Sequence, residues 1–217
     1  MSEWTILWPE AEEALASWRA QITREIEATR RIVSRLVPPG ALTIEVKHKP
    51  GAVIPEIGMV GHAWGPHLFS LTFDSGNPNF AASLKDGTLR RQIAHEVNHC
   101  LRNAGPGYGL TLGEAFVSEG LAGHFVNRLF GTPPEPWERA VETARALSFL
   151  PDATSLASTD FDHNAWFFGV DRRYPRWLGY TLGYVIVGRW LAATPDADGP
   201  LLVNVAAADV LAAARRH

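Results

Sequence analysis

The sequence predicts an α+β fold, mostly helical, with a small N-terminal antiparallel or mixed sheet and a long helix ahead of it. Three observations carry that expectation. Apolar residues recur at helical spacing near the N-terminus, three strand-like runs fall between residues 42 and 74, and helix-period segments divided by Gly/Pro breakers fill the chain from residue 86 onward. The 217 residues are 46% hydrophobic and 20% charged, enough for one well-buried core, with no internal repeat and no low-complexity linker. We therefore expect a single domain over 1–217: a helical segment (1–40), a small sheet (41–84) and a helical half (85–217).

From Pro9 to about Leu36, Leu15, Trp18, Ile22, Ile26, Ile32 and Leu36 form an apolar stripe between charges such as Arg24, Glu27, Arg30 and Arg31. Pro38, Pro39 and Gly40 end that helix. LTIEVKH (42–48) alternates apolar and polar residues as a half-buried strand does, and IGMVGHAW and HLFSLTFD read as two more strands around a turn at Gly65-Pro66. Helices are then expected over about 86–103, 112–130, 135–148, 177–193 and 205–215, with 150–176 irregular.

Several function classes are disfavoured. A net charge of -3 makes no electrostatic case for nucleic acid or an anionic membrane. The most apolar segment, WLGYTLGYVIVGRWLAA, is interrupted by Arg189, so no membrane span is expected. The N-terminal run MSEWTILWPEAEEALASW lacks the basic and apolar regions of a signal peptide, and Cys100 is the single cysteine. Both point to a cytoplasmic protein without intrachain disulfides.

Chemistry enters with RRQIAHEVNHCLRNAG (90–105). On a helix, His95 and His99 project from one face, one turn apart, and can place two imidazole nitrogens about 2 Å from one Zn²⁺. Glu96, about 100° further round, is placed to polarise a water at the metal rather than to bind the ion. The plain alternative is a solvated face on which His95, Asn98, His99 and Arg102 meet water. A hydrolytic zinc site also needs a third protein ligand and an open position. Glu119, in TLGEAFVSEGLAGHFVNRLF, supplies one: it sits on the next helix, on an otherwise apolar face with Ala115, Ala122 and Val126. A carboxylate there is costly unless paired or bound to metal. Its rival Glu114 lies near the helix start, where the dipole accounts for an acid.

HEVNH followed by SEGLA resembles the gluzincin pattern, with a spacing like that of thermolysin-like peptidases and an EGLA run similar to that of the aminopeptidase N family. AHEVNHCLR, LGEAFVSEGLAGHF and PRWLGYTLGYVIVGRWL resemble more closely an uncharacterised bacterial family of predicted Zn-dependent proteases, over roughly residues 58–212. The resemblance implies a zincin-like domain with one catalytic Zn²⁺ bound by His95, His99 and Glu119, Glu96 as general base, and a peptide or protein as substrate. It departs at Gly123, where thermolysin-like enzymes carry an acid that orients a histidine ligand. Asp160, Asp162 and Glu114 are the candidates for that second contact.

Tyr180 and Tyr184, one turn apart in LGYTLGY, are candidates to stabilise an oxyanion. Tyr180 stands at a separation from Glu119 like that of the catalytic tyrosine of aminopeptidase N enzymes. Core packing is the competing account of both, and His124 and His163 are weaker candidates. Ala63 and Trp64, in a strand ahead of the motif, are candidate substrate contacts, since edge strands of such peptidases pair with extended substrate. His62 and His67 offer just two ligands for a separate metal, and Arg102 suits a buried acid, a substrate carboxylate or a surface ion pair. The leading reading is a zinc-dependent hydrolase of peptide bonds. The alternative is a zinc-binding regulatory or binding domain with little or no turnover.

Overall fold

The structure is a computed structural model that describes residues 3–9 and 13–214. Its helices and four-stranded mixed sheet make it α+β, as the sequence pattern predicts. The chain forms two compact units, residues 1–104 and 105–217.

The first unit holds β1 (Trp4–Leu7), α1 (Arg19–Leu36), β2 (Leu42–His48), β3 (Met59–Gly65), β4 (Leu68–Phe73), α2 (Phe80–Ser83) and α3 (Thr88–Asn103). Strand order is β1-β2-β4-β3; β1, β2 and β4 run parallel and β3 pairs antiparallel with β4. Because β1 and β2 are parallel neighbours, the chain needs a long crossover between them, and α1 lies within it. Alternation in β2 buries Leu42, Ile44 and Val46, while Phe69, Leu71 and Phe73 do the same from β4. Against β3 and β4 packs α3, and α1 packs against α3, tied to it by the Glu25–Arg90 ion pair.

β1 is absent from the sequence reading because it has just four residues, of which Trp4 and Ile6 are half-buried and Thr5 and Leu7 exposed, too short a run for alternation to register. The first helix begins at Arg19, later than its apolar spacing suggests, and turns occupy 13–18; residues 10–12 lie outside the described residues. Its buried stripe is Ile22, Ile26, Thr29 and Val33, not Ile32 and Leu36. Thr29 is tolerated there because its hydroxyl donates to the Glu25 carbonyl at 2.8 Å.

The second unit holds α4 (Leu112–Phe130), a 3-10 turn (Pro136–Arg139), α5 (Thr143–Ser148), α6 (Ala153–Leu156), a π-turn (Asn164–Phe168), α7 (Leu178–Ala192), α8 (Gly199–Asn204) and α9 (Ala207–Ala214). The helix expected over 135–148 is thus two pieces, because Glu142 accepts from Ala144 and Arg145 and caps a new helix. The last predicted helix, about 205–215, is α9, with residue 215 beyond the described residues, and α8 just ahead of it was not predicted. The metal-motif helix α3 belongs to the unit with the sheet, whereas the sequence pattern groups it with the helices that follow. Among the described residues no helix is long and apolar enough to cross a membrane.

α4 and α7 form the centre of this unit. A Cβ at Gly120 would lie 2.1 Å from the Gly183 carbonyl oxygen, and one at Gly183 would lie 2.2 Å from that of Phe116. Backbone meets backbone, and no rotamer can relieve a side chain placed there. Gly183→Ala should therefore destabilise the protein by about 1–3 kcal/mol, read as a lower urea midpoint at unchanged slope.

Candidate metal centre

The first unit supplies two imidazoles. Val97 and Cys100 point α3 into its core, which leaves His95 half-buried and His99 buried on another face. Their Nε2 atoms are 3.0 Å apart, with the rings edge to face. Two nitrogens bound tetrahedrally to one zinc are separated by about 3.3 Å. This pair is therefore set near that spacing by one helical turn alone.

Glu96, on the same helix, is buried against β3. A Cβ at Gly61 would fall 2.4 Å from its Cγ and Oε1 and 2.6 Å from its Cδ, so the carboxylate occupies the space that the glycine leaves. One turn on, burial and the nearby Glu96 charge push the Cys100 thiol up to about 12, which keeps it a neutral core group.

The second unit supplies a buried carboxylate, Glu119 on α4, which accepts from the Tyr108 hydroxyl at 2.7 Å. Each of His95, His99 and Glu119 offers one ligand atom, and the three atoms lie within 4.8 Å of one another. Two imidazoles and one carboxylate are the donor set that catalytic zinc takes, with a position left for water or substrate. The residues present fit that ion.

Of the other acids named for support, Glu114 and Asp162 have partners of their own and Asp160 is exposed. Glu114 Oε2 accepts from the Leu110 and Thr111 amides and from the Thr111 hydroxyl in a capping box. Asp162 accepts from the Ala165 amide and pairs with Arg173, while Asp160 is exposed. At Gly123 a Cβ would meet Glu138 Oε1 at 2.2 Å, so a carboxylate from the 3-10 turn fills that space.

The tyrosines and remaining histidines separate by environment. Tyr184 donates to Asn127 Oδ1 and stacks on His124, and burial with the Glu138 charge nearby pushes its hydroxyl up to about 12. Tyr180 is half-buried among the rings of Phe167, Phe168 and Trp177. His163 stacks on Phe167. Arg102 is 1% exposed, which rules out a surface ion pair.

On the edge strand β3, Ala63 shares the Gly61 side of the sheet, since neighbouring side chains alternate. Trp64 is on the other side: its indole donates to Ser70 Oγ, meets His62 edge to face and lies under Lys47. His62 is thus part of an aromatic contact with Trp64. Two functional candidates had no sequence signal strong enough to select them: Gly61, one of 19 glycines, and Tyr108, inside the breaker GPGYG.

The sequence matches the family described as Predicted Zn-dependent protease (DUF2268) over residues 71–212, more than half of the chain. No curated protein and no solved structure matches it.

His124 carries a pH signature. Burial holds its pKa below the usual 6.5, and Nε2 lies 2.9 Å from the Tyr184 carbonyl, which makes it the donor. The unfolded chain therefore takes up a proton more readily than the folded one. Stability from this site is complete above about 6.5 and is lost as pH falls through the lower folded value. Urea unfolding between pH 7.5 and 5 should show this loss, and His124→Gln should remove its share of the slope.

Proposed function

Because the chain belongs to the family of predicted Zn-dependent proteases, we propose that it is a zinc hydrolase of peptide bonds with a gluzincin-like site. The observation that carries this reading is the His95, His99 and Glu119 donor group, on whose first helix Glu96 also stands. His95, His99 and Glu119 would hold the ion. Zinc, when bound, supplies Lewis acidity, which acidifies water and polarises a carbonyl oxygen.

The remaining work falls to the chain's own groups. Glu96 takes a proton from the attacking water at its carboxylate, and the water oxygen adds to the carbonyl carbon. The same carboxylate then delivers that proton to the departing amine nitrogen as the C–N bond breaks. Gly61 holds the carboxylate in place by offering it room. β3 is the edge of the sheet, and its free edge is suited to pair with an extended substrate at Ala63. Tyr180 is the phenol proposed for the developing oxyanion, while the Tyr184 hydroxyl donates to Asn127.

A zinc-binding domain without turnover is the second reading, favoured by the same donor group taken alone. Two variants separate the readings. Glu96→Gln should keep one zinc per chain and abolish cleavage of a casein or peptide-library substrate. Gly61→Ala should keep zinc and fold, because the group displaced is the end of a flexible side chain, and should lower kcat on the order of 10²-fold with KM little changed. Wild-type protein that carries zinc yet cleaves nothing supports the binding-domain reading.

A further inference from the structure

Between α3 and α4 the chain runs Gly105-Pro-Gly-Tyr-Gly-Leu110, and the part from Gly107 onward is fastened to α4. Gly107 and Gly109 have φ of 90° and 103°, conformations that glycine adopts without strain. Gly109 lies so close to α4 that a Cβ there would be 2.2 Å from Glu114 Cβ. The Leu110 and Thr111 amides donate to Glu114 Oε2 at 2.8 and 2.9 Å. Ser118, fully buried, donates through Oγ to the Tyr108 carbonyl at 2.6 Å. These contacts hold Tyr108 on both sides, and its hydroxyl donates to Glu119 Oε1 at 2.7 Å.

A half-buried loop tyrosine can ordinarily direct its hydroxyl to solvent. Here the phenol is directed at a carboxylate that is 7% exposed, from a loop built to leave it little choice. We propose that Tyr108 is a positioning residue for the metal: its hydroxyl fixes the orientation in which the Glu119 carboxylate would meet the ion. The inference rests on the reading of Glu119 as a zinc ligand. Hydrogen-bond partners of ligating side chains commonly hold them ready in advance, and losing such a partner weakens metal binding. Tyr108 acts through Glu119 and takes no part in bond breaking.

The test is zinc affinity of the full chain, by competition with a chromophoric chelator, for wild type, Tyr108→Phe and Glu119→Gln. Tyr108→Phe removes one oxygen and keeps the ring, so the metal-free variant should melt close to wild type. Its zinc dissociation constant should rise by about 10–100-fold, with a still larger rise for Glu119→Gln. The visible spectrum of the Co²⁺-loaded protein should also shift in Tyr108→Phe, a change that a merely structural role would not produce. Wild-type affinity and spectrum in Tyr108→Phe, with weakened binding in Glu119→Gln, would overturn the inference and keep the zinc reading. Unchanged affinity in Glu119→Gln would overturn both.

Discussion

Each unit holds one carboxylate almost out of water, Glu96 at 5% exposure in the first and Glu119 at 7% in the second, and each must offset the cost of burying it. Burying an ionised carboxylate costs roughly several kcal/mol unless hydrogen bonds, a counter-charge or a metal offset it. The first unit responds with shape: β3 places a glycine where the Glu96 side chain must lie, and a thiol that stays neutral sits one turn away. The second unit responds with a donor, the Tyr108 hydroxyl on Glu119. In the proposed reading a cation would complete the second arrangement, and two imidazoles with one carboxylate are a donor set that suits zinc.

Close helix packing holds Glu119 in place. The residue after it, Gly120, touches the backbone of α7 through Gly183, and Gly183 touches α4 in return. Shape therefore fixes the position of α4 along α7 in a way that bulkier apolar contacts would leave looser. The capping box of Thr111 and Glu114 fixes the start of the same helix, and with it the loop that carries Tyr108. Stability and site geometry depend on the same few contacts in this unit.

Much of this was legible in the residues. The helical repeat set His95 beside His99, the breaker GPGYG separated two helices, and an acid on an apolar face drew attention to Glu119. The α+β class followed from the order of the strand-like and helix-period segments. What escaped depends on partners distant in sequence. Nothing local in WTIL announces an edge strand that needs β2 for its hydrogen bonds. Gly61 matters because of Glu96, thirty-five positions later, and Trp64 faces away from Ala63 because a strand alternates, which changes the meaning of the pair as substrate contacts. Spacing gives no sign that the Tyr184 hydroxyl donates to Asn127, a partner 57 positions away.

The central claim is a zinc ion held by nitrogen and oxygen from His95, His99 and Glu119. X-ray absorption at the zinc edge on the purified 217-residue chain tests it most directly. The account predicts one zinc per chain with a nitrogen/oxygen shell at about 2.0–2.1 Å, imidazole scattering from two rings and no sulfur. A shell containing sulfur at about 2.3 Å would place the metal on Cys100 and contradict the account, as would a chain that retains no zinc after purification.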